Sequence, residues 1–435
     1  MSRRPLAGPL DAPGESADGM PLVLAAECDR LRERLAAVAR GEALLLQGVD
    51  RAEPSAPVSA ERVGGTVRTL LQMSAALAYG ASLPVVRIGL ISPGPGPGSG
   101  PGPGPGPAQP SDAVAALNLV RALTAGVGGP GLERIHAWNL DFVRTAPAGR
   151  RHEAAVREMD RALAFVRACG KDPDRLGGTE FHSSREARSL SYEKALTRTG
   201  PGGGGGPYAA SAQLLWIGGR GGRPDPGRIA FAEGIRNPVG VVLGPDATAD
   251  EVLAYTDRLD PGREPGRLTF LVRMGAGRIR DRLPELVEKA RASGARPVWV
   301  TDPGHGNTAA TAAGRGTGRF DDLVDEVRGF FEVHRALGTH PGGVHVELGG
   351  EEPAGGDRAR SGPGGPGRPR DETADGLPLD RSEALDLAFR VAEFARVPAP
   401  PRRADRQPVR APSPASATSS SPGKRASRSS RRSDM

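Results

Sequence analysis

Cysteine is nearly absent: the chain of 435 residues holds two, Cys28 and Cys169. Two thiols so far apart exclude a thiolate zinc cage, and they fit a reducing, cytoplasmic setting. Long apolar runs are missing too. None approaches the roughly 20 residues of a membrane helix, and the first twenty residues carry two arginines without an apolar stretch, so neither a span nor a secretory signal is expected. An evenly spread basic charge is also lacking. Residues 398–435 hold nine Lys/Arg against two acids, which accounts for the whole formal excess of +7. This Ser/Pro/Arg tail cannot bury a core. It suits no more than weak polyanion contact, so nucleic acid is not an expected partner.

What is present is a regular alternation. Apolar content of 37% suffices for a core. Eight short apolar runs begin near residues 42, 85, 179, 212, 239, 267, 297 and 343. Helical pattern separates each pair of neighbours, over 61–79, 112–125, 131–143, 152–169, 184–198, 227–235, 249–259, 278–293 and 320–337, and further helices are predicted over 22–38 and 379–397. Continuous apolar strands alternating with amphipathic helices call for a parallel sheet covered by helices, and eight such units predict a (β/α)8 TIM-type barrel. The barrel is expected over 20–397, between a loose N-terminus (1–19) and the disordered basic tail (398–435). Pro/Gly linkers interrupt it at 93–110, 201–207 and 352–370.

The stretch 301–351 carries most of the chemistry. PVWVTD stops at Pro303-Gly304, an amphipathic helix runs from Phe320 to Leu337, and Gly342-Gly343 releases the chain into VHVEL. Side chains alternate along a strand, so His345 and Glu347 share a face, and His305 and Glu347 fall at two strand ends joined by one helix. An imidazole and a carboxylate there make a partial metal site. Since barrel sites lie where strands end, Asp50, Arg51, Arg220, Arg273, His305 and Glu347 are expected on one rim, with Glu180 and His182 beside them. Asp302 and Asn307 are read as turn-shaping residues, His136 and Trp138 as packing groups.

Several motifs then resemble one family. GEALLLQGVDRAE, HAWNLDF, EFHSSREA, LLWIG, NPVGVVLGP, PGRLTFLVRMGA, DPGHGNT and GFFEVHRALGTHPGGVHVEL occur in this order. The chain resembles the class II (plant-type) 3-deoxy-D-arabino-heptulosonate 7-phosphate (DAHP) synthases over roughly residues 20–397. The resemblance implies a transferase of the shikimate pathway, which condenses phosphoenolpyruvate with erythrose 4-phosphate towards the aromatic amino acids. It also implies a homo- or hetero-oligomer and a divalent metal, Mn2+ or Co2+, acting as Lewis acid.

Carried over by motif, the family's metal ligands fall on His305 and Glu347, but the cysteine position is Arg51 and the aspartate position is Gly376, where Asp375, one residue away, is the candidate substitute ligand if the linker bends. Of the phosphoenolpyruvate residues Arg220 and Arg273 match, whereas Leu90 replaces an arginine, Gly219 an acid and Val242 a lysine. The family's phosphate-holding Lys-Pro-Arg-Ser loop is replaced by the Pro/Gly run. Losing the arginine, the lysine and the loop together costs more than roughly 5 kcal/mol if each charge-assisted contact contributes about 1.5–3 kcal/mol. A permanent guanidinium in place of a thiolate deletes a ligand and repels the ion. The metal is therefore expected to be weak or absent, with Arg51 neutralising Glu347 in its place. Two alternatives to the inherited synthase follow: an inactive synthase-like protein that binds or regulates a partner synthase, or a metal-independent enzyme on another anionic substrate.

Overall fold

In the computed structural model, placement is described for residues 21–50, 58–90, 110–124, 129–175, 180–200, 206–218, 223–307, 309–310, 316–317, 320–349 and 378–396. The expected loose N-terminus, the basic tail, and nearly all of the three Pro/Gly linkers lie outside them.

The elements run in chain order as follows: α1 (Ala25–Ala39), β1 (Leu44–Asp50), α2 (Ala60–Ala81), β2 (Val85–Leu90), α3 (Pro110–Thr124), α4 (Leu132–Thr145), α5 (Glu153–Ala168), β3 (His182–Glu186) and α6 (Leu190–Ala195). Then come β4 (Thr197–Thr199), β5 (Pro207–Ala209), β6 (Leu214–Trp216), α7 (Pro226–Glu233), β7 (Val239–Leu243), α8 (Ala249–Leu259), β8 (Leu268–Val272), α9 (Ile279–Ala292) and β9 (Val298–Thr301). The last are α10 (Pro303–Gly306), β10 (Ala309–Ala310), β11 (Gly316–Thr317), α11 (Phe320–Leu337), β12 (Gly343–Leu348) and α12 (Arg381–Ala395).

Eight parallel strands close in the order β1-β12-β9-β8-β7-β6-β3-β2. The (β/α)8 barrel expected from the alternation is the fold found. Helix starts follow local chemistry: Ser59 accepts from the Arg62 amide at α2, and Thr248 with Glu251, and Asp380 with Glu383, form reciprocal boxes at α8 and α12. Gly64-Gly65 does not break α2, because its buried face of Val67, Leu70, Leu71 and Leu77 holds the helix by packing.

Alternate strand residues divide between two apolar layers. Leu46, Val241, Phe270, Trp299 and Val346 face the helices. Leu45, Ile88, Leu214, Trp216, Val242, Leu271 and Val300 point into the barrel, where α1 contributes Leu31, Leu35 and Val38 to the same cluster. The first helix thus closes the N-terminal mouth of the barrel.

Three points depart from expectation. The helix predicted over 184–198 is six residues long, because Ser184, Arg185 and Glu186 pair with Leu214, Leu215 and Trp216 of β6 and prolong the strand. The chain after α6 forms an antiparallel hairpin, β4 with β5, that was not expected. Glu180 and His182 are not on the rim. They precede or open β3 at the floor, where Glu180 binds Arg34 of α1 at 3.0 Å and buried His182 meets Gln213 at 3.1 Å. His136 is buried and Trp138 lies under the guanidinium of Arg68 at 4.8 Å, as packing groups should.

The core also holds a neutral histidine. His334 is fully buried, contacts Thr339 Oγ1 through Nδ1 at 2.8 Å, and lies edge-on to Phe330. Burial, and to a lesser degree His340, pushes it down to about 3. Its folded pKa is below the unfolded value of about 6.5, so the unfolded chain takes up the extra proton. The stabilisation is complete above that unfolded value and is lost as pH falls toward about 3. Between pH 6 and 4, His334→Gln should shallow the pH slope of unfolding free energy by about 1.4 kcal/mol per unit relative to the parent. Equal slopes in denaturant titrations would refute the assignment.

Candidate functional site

β8, β9 and β12 are adjacent and end together at the C-terminal mouth. Inward side chains at those ends form one cluster. Asp302, just past β9, is fully buried and lies at its centre. Its Oδ2 accepts from Arg273 Nε at 2.8 Å and lies 2.9 Å from His305 Nδ1 and 3.9 Å from His345 Nε2. His305 Nε2 is 3.4 Å from Glu347 Oε1. The sequence motif puts His305 on the one-turn α10, which Pro303 starts, so the imidazole turns back over the barrel between two carboxylates.

Charge follows this arrangement. Burial alone would raise Asp302, but the charges of His305 and Arg273 outweigh it and hold the carboxyl well below the usual range. For His305, burial favours the neutral ring, yet the charge and hydrogen bond of Asp302, with Glu347, raise it above the ordinary histidine value. His345, fully enclosed, is pushed down to about 4 by burial despite Asp302. The His305 ring is therefore held between the carboxyl groups of Asp302 and Glu347, with His345 behind Asp302. Arg273 contacts Asp302 through Nε, and its two Nη groups have no hydrogen-bond partner among the described residues.

Of the other predicted site residues, Val242 sits on β7 and belongs to the apolar layer inside the barrel, against Trp216 and Leu271. It lies so close to Gly218 that a Cβ there would come within 2.7 Å of Val242 Cγ2. Leu90 ends β2 in register with Val49, and its side chain lies outside the described residues. Arg51, Gly219, Arg220, Asp375 and Gly376 also lie outside them, and with them the expected Arg51–Glu347 contact. Asp50 turns outward to Arg62 of α2 at 3.0 Å and does not join the cluster.

Two residues do more than their place in the chain suggests. Asp302 links Arg273 to His305 rather than merely shaping a turn. Glu326 was missed. It is fully buried on α11, its Oε1 accepts from the Met274 amide at 3.0 Å, and its Oε2 accepts from Asn307 Nδ2 at 2.7 Å. Burial raises it to about 7 against the pull of those hydrogen bonds. The available signal was an acid inside the apolar stripe Leu323, Val327, Phe330, where a solvated glutamate does not belong.

The donor geometry bears on a metal. His305 Nε2 and Glu347 Oε1 converge as two ligands of one ion would, and Asp302 orients the imidazole from behind. Among the described residues no group of three or more His, Cys, Asp or Glu could hold an ion. At the third position of the resemblance stands arginine, which offers no lone pair.

A closed parallel barrel with a charged cluster at the C-terminal mouth defines a (β/α)8 protein of the kind that carries its site on the strand ends. The model of the Class-II DAHP synthetase family matches residues 15–94 and 109–392, interrupted only across the Pro/Gly run. The chain belongs to that family. It is 50% identical over 410 residues to a phospho-2-dehydro-3-deoxyheptonate aldolase of Streptomyces coelicolor, covering 86% of this chain and 90% of that protein. It is 43% identical over 411 residues to the aldolase AroG of Mycolicibacterium smegmatis, covering 86% and 88%. A solved structure of the aldolase from Francisella tularensis aligns over 86% of this chain and 96% of its own at 10% identity and a TM-score of 0.46, too loose a match to add to the topology. Among the described residues, no helix is long and apolar enough to cross a membrane.

Proposed function

We propose that this chain is a DAHP synthase-type barrel that has lost the family's metal-dependent condensation and keeps one arm of its anion clamp, Arg273. The observation that carries the reading is Val242: at the position where the resemblance requires a lysine, an isopropyl group is packed into the apolar barrel lining. A phosphate site works by convergent cations. Here Arg273 offers the outer edge of its guanidinium, and position 242 offers no second cation beside it. With arginine at the cysteine position and glycine at the aspartate position, the donor set does not fit a four-ligand ion. Glu347 and His305 then face each other at 3.4 Å, and what remains is weak recognition of a small phosphorylated or carboxylated anion. A role beside a catalytically complete relative, as binding partner or regulator, is consistent with a retained frame and a thinned site.

The test is direct. Purified chain is incubated with phosphoenolpyruvate, erythrose 4-phosphate and Mn2+ or Co2+, beside the Streptomyces coelicolor relative. Consumption of phosphoenolpyruvate should be at least a thousandfold slower than for the relative, consistent with more than roughly 4 kcal/mol of lost stabilisation. Arg51→Cys alone should not restore it, because Leu90 and Val242 still lack the phosphate cations. Turnover within tenfold of the relative, in either protein, would overturn the reading. Mixing the two proteins and following their size by light scattering tests the partner role.

A further inference from the structure

Glu326 sits beneath two loops that supply different halves of the site. One, Arg273–Ala276, follows β8 and carries the anion arm. The other, Pro303–Asn307, follows β9 and carries His305. The loops touch through their backbones: a Cβ on Gly275, whose φ is +80°, would come within 2.5 Å of the Gly306 carbonyl oxygen, and one on Gly306 would come within 2.8 Å of Glu326 Oε2. No side chain fits between them, so their spacing is set from below.

The hydrogen bonds there all have a fixed direction. The Met274 and Gly275 amides donate to Glu326. Asn307 Nδ2 donates to Glu326 Oε2 at 2.7 Å and to the Pro303 carbonyl at 3.0 Å, while Asn307 Oδ1 accepts from the Ala276 amide at 2.9 Å. Each member is satisfied by the next, so Asn307 cannot turn its amide over without placing donor against donor. Position 326 consequently requires an acceptor at both oxygens. A carboxylate supplies that and a carboxamide does not.

We propose that Glu326 is a positioning residue that locks the Arg273 loop to the His305 loop, so that an anion on Arg273 meets His305 at a fixed separation. The proposal rests on the reading of Arg273 as the retained anion arm. Glu326 touches no substrate itself.

The network predicts its own rescue. In Glu326→Gln the new Nε2 group faces Asn307 Nδ2 as donor to donor. Adding Asn307→Asp converts the second partner into an acceptor. The carboxylate then placed at position 307 accepts from the carboxamide at position 326 and from the Ala276 amide, and only the Pro303 carbonyl is left without its donor. Net charge is the same as in the parent. Two quantities are measured on the full chain: amide hydrogen exchange at Met274, Gly275 and Ala276, and phosphoenolpyruvate binding by calorimetry. Glu326→Gln should speed exchange at least tenfold and raise the Kd at least tenfold. The double variant should bring both to within threefold of the parent, which a side chain that merely fills space would not do. Exchange and Kd within twofold of the parent in Glu326→Gln, or a double variant no better than the single, would overturn the proposal. Should Glu326→Gln not fold, the parent protein decides: the Met274 and Ala276 amides should show equal protection and equal denaturant dependence, and unequal protection would overturn the lock. Absence of any phosphoenolpyruvate binding by the parent would sink the anion-arm reading, and the exchange data would still judge the lock.

Discussion

Gly343→Ala should destabilise the protein by about 3–5 kcal/mol, more than most single substitutions in a barrel strand. β12 enters the barrel between β1 and β9, and Gly343 lies opposite Leu45 in register. A Cβ at Gly343 would fall inside van der Waals contact with the Leu45 carbonyl oxygen, and its φ of +157° is one L side chains rarely adopt. The obstacle is backbone, which no rotamer change can move. Nor can the strands separate, because the Leu45 amide donates to the Gly342 carbonyl at 2.7 Å on the seam that closes the cylinder. Gly342 is under a similar constraint, since a Cβ there would lie 2.5 Å from the Trp299 carbonyl oxygen. Urea unfolding should show a lowered midpoint with an unchanged slope. A loss below about 1 kcal/mol would mean that β12 shifts easily, contrary to the packing described.

The second large effect belongs to Asp302→Asn. The substitution keeps the shape and removes the charge that Arg273 and His305 both face. Asp302 is fully buried and the Arg273 side chain is 28% exposed, so solvent screens the orphaned guanidinium only in part. Breaking a buried pair by removing one partner costs about 3–5 kcal/mol, and the partial exposure of Arg273 puts the expectation near the lower end. Pairing the substitution with Arg273→Gln separates causes. If the cost is an uncompensated cation, the double variant should lose at least about 1 kcal/mol less than the sum of the singles. Additive losses would show that Asp302 and Arg273 are not energetically coupled.

The barrel was legible in the sequence because each strand is a short apolar run bounded by turn residues. The helix from Phe320 to Leu337 was legible because its apolar residues keep the helical spacing without interruption. The floor of β3 was not. A strand placed at 179–184 puts Glu180 and His182 near its end, whereas the strand begins at His182 because Ser184–Glu186 find partners on β6 and α1 draws Glu180 down to Arg34. Period-2 patterning fixes which faces are buried, but it does not say where along a polar segment pairing begins. His305 and Glu347 were read from their places at two strand ends joined by one helix, and the structure puts His305 Nε2 3.4 Å from Glu347 Oε1. Asp302 and Glu326 act by holding other residues in place. That role depends on which loops meet in space, which spacing along the chain does not reveal.

The first helix has a consequence for the opposite end of the cylinder. By seating Leu31, Leu35 and Val38 in the cylinder's lining, it anchors the aliphatic interior from the end opposite the charged cluster. Val242, near the far opening, belongs to the same apolar cluster, so one continuous aliphatic column runs from the plugged end toward the charged one. Stiffness supplied at the base is thereby transmitted to the strand ends that carry Arg273 and Asp302.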